Sequence, residues 1–118
     1  MAHSTPKIDE LIPLTPAVFN ILLALADGEK HGYAIMLEVE GNTSGEVRMG
    51  PGTLYGSIKR MLAAGLIAES EERDYPDGDQ RRRYYRLTGL GQRALREEAG
   101  RLARQVSVAR LKNVLGDA

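Results

Sequence analysis

The chain has 118 residues, enough for one domain and too few for two. It contains no cysteine, which excludes a disulfide scaffold, thiolate catalysis and cysteine-ligated metal centres, and fits a cytoplasmic protein. Hydrophobic residues make up 42% and charged residues 27%, an ordinary globular composition, with neither a membrane-length apolar run nor an apolar signal core in the polar stretch Met1–Glu10.

Sixteen basic and sixteen acidic side chains cancel in the total, yet they are unevenly placed. Residues 1–80 hold 6 basic and 13 acidic groups, a net of −7, whereas residues 81–118 hold 10 and 3, a net of +7. An anionic partner is therefore compatible with the chain, provided that its contacts are focused on a small surface.

Residues 1–13 read as a flexible tail punctuated by Pro6 and Pro13. Thr15-Pro16 starts a first helix, because threonine caps and proline at the first helical position gives up an N–H that is unpaired there anyway. Phe19, Leu22, Leu23 and Ala26 recur at helical spacing until Asp27-Gly28. His31-Gly32-Tyr33 opens a second helix to about Glu40, with Tyr33, Ile35, Met36 and Val39 as its expected buried face. The break at 41–45 and a short segment at 46–49 lead to Gly50-Pro51-Gly52 and a third helix, about Gly52 to Ala64.

On that third helix Leu54, Ile58, Met61 and Leu62 share one sector, and Gly56, Lys59, Arg60 and Ala63 point away from it. Thr53, Tyr55 and Ser57 take the flanks. A strand from Leu66 to about Arg73, a turn rich in Asp, Pro and Gly, and a returning strand from Arg82 to Leu87 form a hairpin. Thr88 caps a last helix from Gly89 to about Leu115, where Leu95, Ala99, Leu102, Val106 and Ala109 repeat at spacings of 4, 3, 4 and 3. A helix of that length overhangs a three-helix core, so the seam is expected to be a dimer contact.

Three short helices followed by a two-stranded ribbon is the order of a winged helix-turn-helix. The expected class is mainly α with a small β-hairpin: a winged domain over 14–88 and a C-terminal dimerisation helix over 89–115. The second and third helices are then the DNA-docking pair. Thr53, Tyr55 and Ser57 offer hydroxyls, Lys59 and Arg60 offer charge, and small residues at Gly52, Gly56 and Ala63 let backbone approach a groove. In the hairpin Arg81, Arg82, Arg83 and Tyr84 are the candidate contacts. Six acidic residues from Glu69 to Asp79, against the single base Arg73, make the wing stem a poor match for phosphate, which the arginine run partly neutralises across the hairpin.

Pro51-Gly52-Thr53-Leu54-Tyr55, Ile58, Arg60, Gly65-Leu66-Ile67, Arg83-Tyr84-Tyr85-Arg86-Leu87-Thr88 and Gly91, with His31-Gly32-Tyr33 before them, resemble the PadR family of bacterial transcriptional regulators. The resemblance runs from about Leu14 to Ala109 and lies in the combination and order of its motifs. It implies a dimeric repressor of the compact branch, with the third helix in the major groove and the wing on the backbone or minor groove. One long helix, often helped by the first, makes the dimer. Many members repress detoxification or efflux genes and release DNA on binding a small molecule. The resemblance therefore also implies a small aromatic or amphipathic effector, held between the dimerising helices and the first helix.

Each candidate has a plainer reading beside it. Tyr55 is either a phosphate ligand or a packing tyrosine, and hydroxyls such as those of Thr53 and Ser57 also cap locally. Lys59 and Arg60 are DNA contacts or solvated charge. Gly50-Pro51-Gly52-Thr53 lacks the Gly-Lys-Ser/Thr ending of a phosphate loop. His31 has no second histidine at ligand spacing and reads as a packing or hydrogen-bonding residue. Neither a nucleophile–base pair nor a metal constellation is visible, and no cofactor is expected, so an enzyme is not the expectation. The two functions to separate are a DNA-binding repressor of an inverted-repeat operator and a protein-interaction module that uses the same fold without DNA.

Overall fold

The computed structural model describes residues 8–70 and 83–116. In chain order it contains α1 (Ile8–Leu11), α2 (Pro16–Ala24), β1 (Lys30–His31), α3 (Gly32–Asn42), α4 (Pro51–Ala63), β2 (Ile67–Glu69), β3 (Tyr84–Leu87) and α5 (Gly89–Leu111). The three expected short helices are α2, α3 and α4, and the expected long one is α5.

Local chemistry sets the helix boundaries. Thr15 Oγ1 accepts from the Val18 N–H at 3.2 Å, and Pro16 occupies the first turn of α2. The start of α3 is capped by an imidazole: His31 Nδ1 accepts from the Ala34 N–H at 3.2 Å. Gly65, at φ +78°, turns the chain out of α4, with its N–H on Leu62 O and the Leu66 N–H on Met61 O at 3.0 Å. Thr88 Oγ1 accepts from the Gly91 N–H at 3.0 Å and donates to Gly65 O at 2.5 Å, so one side chain starts α5 and ties it to the end of α4.

The wing belongs to a three-stranded antiparallel sheet of order β1-β3-β2. Ile67 pairs with Leu87 and Glu69 with Tyr85 on one side of β3; Lys30 pairs with Tyr85 and His31 with Tyr84 on the other. The sequence signals only the hairpin, because two residues are too few to show an alternation. Lys30 fixes the extra strand: its ammonium pairs with Asp27 and with Glu38 and donates to Ala24 O at 2.7 Å. Partial burial pulls the pKa of that ammonium down, but the hydrogen bond and charge from Asp27 and Glu38 outweigh it and leave it raised.

The core gathers Ile21 and Leu22 of α2, Ile35 and Val39 of α3, Leu54, Ile58 and Met61 of α4, Ile67 and Tyr85 of the sheet, and Ala94 and Leu95 of α5. Gly91 lets α5 approach β2. A Cβ there would lie 2.0 Å from Leu66 O, so only glycine permits this crossing. The 23 residues of α5 span about 34 Å, and its burial ends near Glu98, so the distal half overhangs the domain.

Several expectations are corrected. Residues 8–11 are a helical turn packed on α5 and not tail. Tyr33 is 59% exposed, because it lies two residues before Ile35, about 200° around the helix from it. The last helix ends at Leu111, and Asn113 at φ +58° carries the chain out of it. The expected turn, and the parts of the two expected strands that fall within 71–82, lie outside the described residues.

Candidate nucleic-acid interface

The α3–α4 pair presents one continuous edge. Leu54, Ile58 and Met61 are 1–2% exposed, which fixes the rotation of α4 and leaves Thr53, Tyr55, Lys59 and Arg60 exposed on its outer side. Gly50, Pro51 and Gly52 begin that edge. A Cβ added to Gly50 or Gly52 would meet nothing within 4 Å, so internal packing does not require glycine at either position. The space beside them is open to whatever lies against α4.

Tyr55 is 43% exposed and also packs. Its phenol covers Gly32 so closely that a Cβ there would lie 2.6 Å from the Tyr55 hydroxyl oxygen. The start of α3 is thereby placed beside the N-terminal half of α4. Arg60 stays exposed, and its guanidinium donates to Ser57 Oγ at 3.3 Å.

Ser57 is a correction: it is 3% exposed and cannot touch a ligand on the outer face. It lies three residues after Leu54 and four before Met61, which puts it inside the buried stripe. In the sheet, Arg83 is exposed and paired with Glu69 at 3.0 Å, the cross-hairpin neutralisation expected of the arginine run. Tyr84 is half-buried, edge-on to the His31 ring with centroids 5.5 Å apart. Arg81 and Arg82 lie outside the described residues.

The α5 seam divides. Leu95, 8% exposed, belongs to the domain's own core and is corrected as a seam residue, since its first turns pack beneath α2 and β3. Ala99 is exposed, Leu102 and Ala109 are half-buried, and Val106 is 43% exposed. Val108 at 49% and Leu111 at 83% add to the apolar surface of the overhang.

Glu98 is a buried charge that the sequence pattern does not single out. It is 1% exposed, accepts from the Leu14 N–H at 2.7 Å and pairs with Arg101. The hydrogen bond from Arg101 lowers its pKa, burial opposes this, and the Leu14 N–H adds to the lowering. Its spacing of four residues from both Ala94 and Leu102 puts it on the buried face of the helix, whereas its charge reads as solvated surface. Among the described residues no group of three or more His, Asp or Glu side chains could hold a metal ion. No described helix is long and apolar enough to cross a membrane.

A helix pair joined to a small sheet, with a basic and hydroxyl-bearing outer edge and a long C-terminal helix, defines a winged helix-turn-helix protein. Residues 21–97 match the model of the transcriptional regulator PadR-like family. The chain is 43% identical over 84 residues to a 37.1 kDa protein in transposon TN4556 of Streptomyces fradiae, covering 71% of this chain but only 22% of that protein. It is 40% identical over 79 residues to a transcriptional regulator of Mycobacterium tuberculosis, covering 67% and 68% of the two chains. Its fold superposes on Bacillus subtilis PadR, a structure solved in complex with operator DNA, with a TM-score of 0.60 and 22% identity over 72% of this chain and 46% of that one. The chain belongs to the PadR-like family of transcriptional regulators.

Proposed function

We propose that this chain is a dimeric repressor that binds an inverted-repeat operator through α4. The observation that carries this reading is the outer face of α4: Thr53, Tyr55, Lys59 and Arg60 stand exposed beside glycines that the interior does not need. Hydroxyls and the phenol suit phosphate oxygens, while Lys59 and Arg60 suit phosphates or guanine edges. The wing carries a smaller share, because Arg83 is engaged by Glu69. One helix reads only a few base pairs, so two subunits bound to two half-sites supply the affinity. The overhanging Ala99, Leu102, Val106 and Ala109 supply the second copy's contact.

Release by a small amphipathic effector completes the proposal. A groove of about 700 Å³ between α1 and α5, lined by Ile8, Ile12, Arg93, Arg96 and Glu97, has a suitable size and mixture of apolar and charged walls. Thermal-shift screening of aromatic acids and efflux substrates, followed by release from the operator, tests the effector. Binding without release removes the inducer role. Binding to DNA is tested by titrating the region upstream of the gene against scrambled DNA. A protein-interaction module would dimerise and bind neither.

A further inference from the structure

We infer that Tyr33, held by His31, is a second phosphate-contact residue that extends the DNA surface from α4 onto the first turn of α3. This rests on the DNA-binding reading above and adds a site to it. Tyr33 is 59% exposed, and its ring stacks on His31 with centroids 6.5 Å apart and planes within 10°. His31 in turn meets Tyr84 edge-on. The phenol ring is thus flanked by the imidazole in an offset stack and is exposed to solvent.

Two observations join this shelf to the α4 surface. The Tyr55 phenol lies against Gly32, the residue between His31 and Tyr33, so the first turn of α3 abuts the N-terminal half of α4. In a helix-turn-helix that half of the second helix faces base edges while the first helix crosses the backbone. A duplex seated on Thr53 and Tyr55 therefore brings its backbone past Tyr33. The hydroxyl is uncharged and can donate to a phosphate oxygen without displacing a counterion.

His31 is a positioning residue here. Its Nδ1 accepts from the Ala34 N–H, so the ring that supports Tyr33 is itself fixed by the α3 cap. Asparagine at 31 would keep a cap and remove the stack.

Fluorescence anisotropy on operator and scrambled duplexes, at several salt concentrations, tests the inference with the dimeric full chain. Tyr33→Phe keeps the ring and loses only the hydroxyl. It is expected to weaken both duplexes by about tenfold and to leave the salt slope unchanged. His31→Asn is expected to cause a similar loss, and the double variant to be no weaker than either single one. Leu37→Ala, one turn further along the same helix and 50% exposed, is the surface control and is expected to bind as the parent does. Parent-like affinity of Tyr33→Phe, while Lys59→Ala still weakens binding, overturns the inference and spares the α4 reading. Absence of parent binding to either duplex overturns both. Independent, additive losses from His31→Asn and Tyr33→Phe overturn the positioning role.

Discussion

The backbone N–H of Leu14 donates to the buried carboxylate of Glu98 across 84 residues of sequence, at 2.7 Å. That bond fastens the segment between α1 and α2 to the middle of α5, where Glu98 also holds Arg101. Glu98→Ala is expected to destabilise the fold by about 1–3 kcal/mol, since it leaves the Leu14 N–H without its acceptor. Glu98→Gln keeps an acceptor oxygen for Leu14 and is expected to cost less. Urea denaturation of the two variants checks the order.

The same carboxylate gives the stability a direction in pH. Its folded pKa is depressed, so its contribution is fully present above the unfolded value and is lost as pH falls through the folded one. Thermal melts from pH 6 downward should show the parent losing more stability below the usual carboxylate range, near pH 4, than Glu98→Gln does. Parallel pH profiles for the two proteins would contradict this.

Gly91 is expected to be the most sensitive glycine of α5. Gly91→Ala places a Cβ against Leu66 O and must push α5 off the sheet, at a cost of about 2–4 kcal/mol. Gly100→Ala meets only the Arg104 guanidinium, at an ordinary 3.5 Å, and is expected to stabilise by about 0.5–1 kcal/mol through helix propensity. Chemical denaturation of both variants gives the signs.

The two apolar positions Leu95 and Leu102 should separate folding from assembly. Leu95→Ala opens a hole in the domain core and is expected to cost about 2–5 kcal/mol of stability. Leu102→Asp puts a charge into the overhanging seam and is expected to give a folded monomer. Circular dichroism with sedimentation equilibrium tests the pair. A parent that stays near 12.9 kDa at tens of micromolar would remove the dimer.

How much of this was legible in the sequence varied with how local the cause was. Thr15-Pro16, Gly65 and the Thr88 cap on Gly91 set helix boundaries through bonds to residues within a few positions, and each marks its boundary in the sequence as it does in the fold. The rotation of α4 is readable from Leu54, Ile58 and Met61, and the same arithmetic puts Ser57 inside. The aromatic character of Tyr33 suggests burial, but its angular position on α3 puts it outside. β1, the α1 turn and the Leu14–Glu98 bond depend on partners 50 or more residues away, and neither a two-residue strand nor a glutamate's angular position names such a partner.

Operator affinity as a function of salt is the most direct measurement. On the duplex from upstream of the gene, Lys59→Ala is expected to weaken binding and flatten the salt dependence by about one unit if Lys59 holds a phosphate. Tyr55→Phe should weaken it without that flattening. Gly52→Leu, which fills space the interior leaves open, should abolish binding with the fold and dimer intact. The parent should prefer this duplex to scrambled DNA at every salt concentration; equal affinity for both throughout would contradict sequence-specific repression through α4.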